Sequence, residues 1–162
     1  MTGSIAFPMW SLIIFPHFWV FLLPLYFVID SLLLALSMSV AKMPRRGEIY
    51  KKSIIQFWMI GFLCDAIASA LLSIPGWFIA GQNLHNALGQ SLDYINVNVF
   101  HSSLAFFTML FAVLINAALA FQLHKRITFR RFRDLPEISR VVFWGAVLTA
   151  PWAYFLPVGY LP

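Results

Sequence analysis

Every lysine and arginine of the chain falls in one of two short segments, and no other feature narrows the possible folds as far. AKMPRRGEIYKK holds Lys42, Arg45, Arg46, Lys51 and Lys52; HKRITFRRFRDLPEISR holds Lys125, Arg126, Arg130, Arg131, Arg133 and Arg140. Between and around them run long apolar tracts without a basic side chain. Of 162 residues, 61% are hydrophobic and only 10% charged, and the mean hydropathy is +0.82. A soluble domain of this length cannot cover so much apolar surface, so the class is integral membrane protein. Orientation in a bilayer follows the Lys/Arg bias of short loops, which places both segments on the cytoplasmic side.

A spanning helix takes about 20 mostly apolar residues. On that measure the sequence predicts an all-α, polytopic fold: one transmembrane domain over 1–162, a four-helix bundle with spans at about 17–41, 53–74, 99–123 and 139–156. Loops 42–52 and 124–140 are then cytoplasmic, and both termini and the stretch from Gly76 to Asn98 lie outside. The second span is expected to stop at Pro75, in PGW. The fourth is expected to kink at Pro151, which leaves the Val147 carbonyl without its usual donor.

Pro8, Pro16 and the aromatics of FPMWSLIIFPHFW predict an interfacial or re-entrant segment ahead of the first span. The alternative, two spans in this tract, would reverse the N-terminus. In NLHNALGQSLDYI, Leu84, Leu88, Leu92 and Ile95 recur at helical spacing and predict an amphipathic helix on the outer leaflet. The start MTGSIAFPMW has no basic n-region and no cleavage site, so it is not read as a removable signal peptide.

Ionisable groups inside a membrane are functional candidates by default, and two fall within spans, Asp30 and Asp65. Asp30 is twelve residues from Lys42, and Asp65 thirteen from Lys52. At about 1.5 Å per residue these separations are about 18 and about 20 Å, so the acids should share one level. The short connection between their helices makes them antiparallel neighbours. Two carboxyls at one depth could share a proton, or hold a cation with help from Ser31, Ser37 or Ser69. No membrane-embedded Lys or Arg balances either acid. The compensating species is therefore a proton, a metal ion, a partner subunit or a cationic substrate.

The plainer reading makes each acid a hydrogen-bonded peg between helices. Asn116 and Thr149 are available partners. Each is nine residues from its nearest basic neighbour, Lys125 or Arg140, and the pair is expected to form a second polar layer nearer the cytoplasm. Gly61, Asp65 and either Ala68 or Ser69 lie on one face of the second span, a small-residue arrangement that lets backbones approach. Ala105, Met109, Ala112, Asn116 and Ala120 make a similar seam on the third.

The remaining signals are weaker. Cys64 is a lone thiol without metal-ligand spacing and reads as buried filler. His85, His101 and Asp93 could bind a metal only if brought together, with His17 on the same outer side; no metal and no cofactor are assigned. Arg45, Arg46, Lys51, Lys52, Arg130, Arg131 and Arg133 are expected to contact anionic lipid or an acidic partner at the cytoplasmic face. No nucleic-acid motif is present. HExxH, GxSxG, Walker A and dinucleotide fingerprints are absent from the sequence.

Three functions remain in order. The first is a small accessory subunit, packing with itself or with larger membrane partners through its small-residue faces. The second is a proton- or cation-coupled transporter or channel component using Asp30 and Asp65. The third is an intramembrane aspartyl hydrolase, which would use the same two acids but lacks the usual glycine-bearing motifs. A bacterial plasma membrane is the default location.

Overall fold

The computed structural model describes residues 9–82 and 94–156, and among them there are helices and turns but no strand. Among the described residues three helical stretches are long and apolar enough to cross a membrane: Pro16–Val40, Arg46–Ile74 and Ser103–Thr128. Over the described residues the long regular α-helices are α1 (Trp19–Val40), α2 (Arg46–Gln82), α3 (Ser103–Leu123) and α4 (Ile138–Thr149).

Over its described residues the N-terminal tract contains a single long helix. Ahead of α1 the described chain folds into two 3-10 turns, Met9–Ile13 and Pro16–Phe18. The Trp19 indole donates to the Ile13 carbonyl at 2.8 Å and ties the first turn to the helix. Ile13 is buried in a cluster with Leu72 and Tyr154, so this segment packs on α2 and on the chain after α4. Helix α1 runs unbroken through Pro24.

Helix α2 departs from the expected bounds at both ends. It begins at Arg46, because the reversal after α1 is completed over 41–45, where Lys42 and Arg45 take φ of 52° and 51°. Arg46 then caps the turn by donating from Nε to the Met43 carbonyl at 3.1 Å. Lys51 and Lys52 therefore stand on the helix and not in a loop, and Lys52 pairs with Glu48 one turn earlier at 2.7 Å. Nor does Pro75 stop α2, which extends for 37 residues to Gln82. A proline costs a helix one backbone donor and a local clash, and apolar surroundings favour keeping the other bonds.

Helix α3 starts on a Ser102 cap, whose hydroxyl accepts from the Ala105 amide at 3.3 Å. Its far end widens into a π-turn, His124–Thr128, followed by a 3-10 turn, Arg130–Phe132. Helix α4 has only 12 residues. The expected kink at Pro151 is instead an end: the α-helix stops at Thr149 and a 3-10 turn, Trp152–Phe155, follows. The Val147 carbonyl, denied the Pro151 donor, accepts from the Trp152 indole at 2.8 Å.

Both basic segments meet at one end of the bundle. Met43 and Ile49 from the first share a buried cluster with Phe129 and Ile138 from the second, joined by Leu34 and Phe57. At the opposite end Ile13, Leu72, Ile95, Val99 and Tyr154 pack together. The expected outer amphipathic helix lies largely outside the described residues; its end is visible as a helical turn over 94–97, with Ile95 buried. Outward faces carry large apolar side chains such as Phe21, Phe107 and Phe111, each more than half exposed.

Candidate functional site

The two acids are buried in the bundle, Asp30 on α1 at 4% exposure and Asp65 on α2 at 5%. They differ in what surrounds them. On α3, Asn116 donates from Nδ2 to Asp65 Oδ1 at 2.5 Å. Tyr26, one turn before Asp30 on α1, lies close to the same carboxyl. The backbone at Asp65 is held as well. Its carbonyl accepts from the Ser69 hydroxyl at 2.8 Å. Tyr154 lies 2.8 Å from the Ser69 oxygen and 3.3 Å from the Asp65 carbonyl. Four segments of chain thus converge on one residue.

Asp30 has no such company. Its Oδ2 is fully enclosed and has no hydrogen-bond partner. It faces α2 at Gly61, one turn from Asp65, where an added Cβ would lie 3.1 Å from Oδ2. Glycine at 61 is what admits the carboxyl between the two helices. The acids do lie at neighbouring levels, and no hydrogen bond joins them. Burying an ionised group without a partner is costly, and among the described residues no Lys or Arg is buried near either acid.

Asn116 and Thr149 do not form a separate layer. Asn116 reaches Asp65 directly, while Thr149 is half-buried and turns back to donate to the Gly145 carbonyl on its own helix at 2.9 Å. Counting from basic residues misplaced Asn116: it meets Asp65 although nine residues separate it from Lys125 and thirteen separate Asp65 from Lys52, so the two lysines do not mark one level. The small-residue seams are internal. Gly61, Ala68, Ser69, Ala105, Ala112 and Ala120 are all buried within the chain; Gly61 lies against Asp30 of α1, and Ala68, Ala105 and Ala112 share one cluster between α2 and α3.

A second buried polar group escaped the sequence reading. His124, fully buried, stacks on Phe57 with ring centroids 4.2 Å apart and planes 13° apart. Its Nδ1 lies 3.1 Å from Thr128 Oγ1 across the π-turn, and its Nε2 has no partner. Ser53, one turn before Phe57 on α2, likewise has an enclosed hydroxyl without a partner. Gly145 of α4 makes room for Phe57, since a Cβ there would lie 3.1 Å from its ring. The only signal in the sequence was a His–Thr pair four residues apart, and it was masked by the flanking Lys125 and Arg126.

Arg45, Arg46, Lys51, Lys52, Arg130, Arg131 and Arg133 are all exposed at the basic end. Cys64 is buried beside Ile60, Ala120 and Ala146. His101 is exposed and leans on the Tyr94 ring, 5.7 Å between centroids, and His17 is also exposed. His85 and Asp93 lie outside the described residues. Among the described residues no three of His, Cys, Asp and Glu gather as a metal would require. No family model matches the chain, and no curated protein or solved structure is significantly similar to it.

Proposed function

We propose that the protein is a small integral-membrane component that takes up and releases a proton or cation at Asp30. In this reading α4 crosses the bilayer with the three longer helices and the basic end faces the cytoplasm. The observation that carries the reading is the contrast between the two acids. Asp65 accepts a hydrogen bond from Asn116, whereas Asp30 keeps an enclosed oxygen with no partner. A carboxyl held in that state needs a proton or a positive ion to offset its burial. Asp65 supplies a fixed neighbouring acid that makes the level of Asp30 attractive to a cation.

The Asp65–Asn116 bond favours a second reading, an accessory subunit in which that acid is only a link between helices. Association would then have to use the bulky outer faces, because the small-residue seams are occupied inside the chain. A hydrolase would need both carboxyls on one water, and Asp65 is already committed to Asn116.

A hydrophobic carbodiimide, which reacts with protonated carboxyls in apolar surroundings, separates these readings. Mass spectrometry of the treated protein should find the adduct on Asp30, and labelling should fall as pH rises or as a competing cation is added. Asp30→Asn should assemble normally, lose the adduct and lose any flux driven by a pH or cation gradient in vesicles. Labelling indifferent to pH and to every cation tried, with flux unaffected by Asp30→Asn, would sink the proposal.

A further inference from the structure

Where the two basic segments meet they enclose a cleft of about 330 Å³. Lys52 enters it from α2, Arg126 from the π-turn, and Arg130 and Arg131 from the following 3-10 turn, with Gln56 and Thr128 also in its lining. No Asp or Glu lines it. Among the described residues the only ion pair near it is Glu48 with Lys52, at 2.7 Å, and an ammonium has two further donors to offer.

Solvated charges on a membrane protein normally spread apart, because like charges repel. Here the fold draws four together. The π-turn His124–Thr128 redirects the chain at the end of α3, and π-turns of this kind recur at functional sites. Phe129, fully buried, anchors the next turn, and Arg133 donates to the Arg126 carbonyl at 3.3 Å. Thr128 is buried and held by His124. Three guanidinium groups and an ammonium around one hollow suit an anion with several acceptor oxygens, since each guanidinium can offer paired donors.

We propose that this cleft binds a phosphate-bearing anion. The ligand oxygens would meet Arg126, Arg130, Arg131 and Lys52. Ile127, half-exposed beside Arg126, gives the rim an apolar side, which suits the headgroup of an anionic lipid in the adjoining leaflet. Free phosphate shares the same oxygen chemistry but gains nothing from that rim. The site does not depend on Asp30.

The test uses the full chain in nanodiscs of phosphatidylcholine, with and without phosphatidic acid, followed by native mass spectrometry of retained lipid. The protein should keep phosphatidic acid in preference to phosphatidylcholine. The variant Arg126→Gln with Arg130→Gln should reduce that retention about tenfold, a difference of about 1.4 kcal/mol by the affinity relation. A control, Arg45→Gln with Lys51→Gln, removes the same charge outside the cleft and should leave retention close to the parent. All four positions are exposed, so folding should survive, and thermal denaturation checks it. Inorganic phosphate provides the second arm: if it raises thermal stability in the parent but not in the cleft variant, with no lipid preference, the ligand is a soluble phosphate. Equal losses in cleft and control variants would overturn the proposal, as would no response to either probe.

Discussion

The bond from Asn116 to Asp65 can be weighed by itself. Asn116→Leu keeps a side chain of similar size at a position 2% exposed but removes the donor 2.5 Å from Oδ1. Leaving a buried acceptor without its partner costs about 1–3 kcal/mol in water-soluble proteins. Interhelical pairs in membranes give less, about 0.6 kcal/mol on average and up to about 1.7. The geometry here is at the strong end: both residues are enclosed and the contact is short. The expected loss for Asn116→Leu is therefore about 1–2 kcal/mol. Asp65→Leu should cost at least as much, because it strands the buried Asn116 amide. In the double variant the shared bond is lost only once, so the two changes should fall short of additivity by about 1 kcal/mol. Reversible unfolding in mixed micelles of increasing SDS content, followed by tryptophan fluorescence, gives all four stabilities. Additivity within about 0.3–0.5 kcal/mol would refute the bond as a stabilising link.

Two more changes probe the same bundle by the same assay. Gly61→Ala pushes a methyl to 3.1 Å from Asp30 Oδ2 and should destabilise by about 1–3 kcal/mol. Adding Asp30→Ala, which clears that space, should recover much of the loss; no recovery would mean the crowding lies elsewhere. Trp152→Phe removes the donor to the Val147 carbonyl and should cost about 1–2 kcal/mol. In a Pro151→Ala background, which restores a backbone donor, the same change should cost less.

How much was legible beforehand follows from the kind of signal each residue carries. Charge bias needs no three-dimensional knowledge, and it correctly brought Lys42–Lys52 and Lys125–Arg140 to one end. Depth counted along a helix put Asp30 and Asp65 at neighbouring levels, although Lys42 lies in the reversal and Lys52 stands within α2. That method failed for Asn116, which meets Asp65 although Lys125 and Lys52 do not mark one level. Proline reads as a stop only where water can satisfy the freed groups. At Pro75 the helix ran on; at Pro151 it ended, helped by an indole that no local pattern announces. His124 was hidden for a related reason: composition around it is basic and suggests solvent, while its ring is sandwiched against Phe57. The faces used by Gly61, Ala68, Ala105 and Ala112 were readable as close-packing surfaces. Whether they close on the chain itself or on a partner is a property of helix arrangement.

The brevity of α4 bears on where water can reach the bundle. Its 12 residues rise about 18 Å at about 1.5 Å each. The four residues of the 3-10 turn that follows add about 8 Å at about 2.0 Å each. In the proposed orientation the regular helix therefore covers little more than half of a hydrocarbon core of about 30 Å, and Ala150, Pro151 and the 3-10 turn must carry the chain the rest of the way. Backbone outside a regular helix leaves polar groups that hydrocarbon does not satisfy. The Trp152 indole takes up the Val147 carbonyl and the Tyr154 amide takes up that of Pro151. Water drawn to the remaining groups would enter beside Tyr154, whose hydroxyl meets the carbonyl of Asp65, so the shortest route from solvent to the buried carboxyls would run along the end of α4.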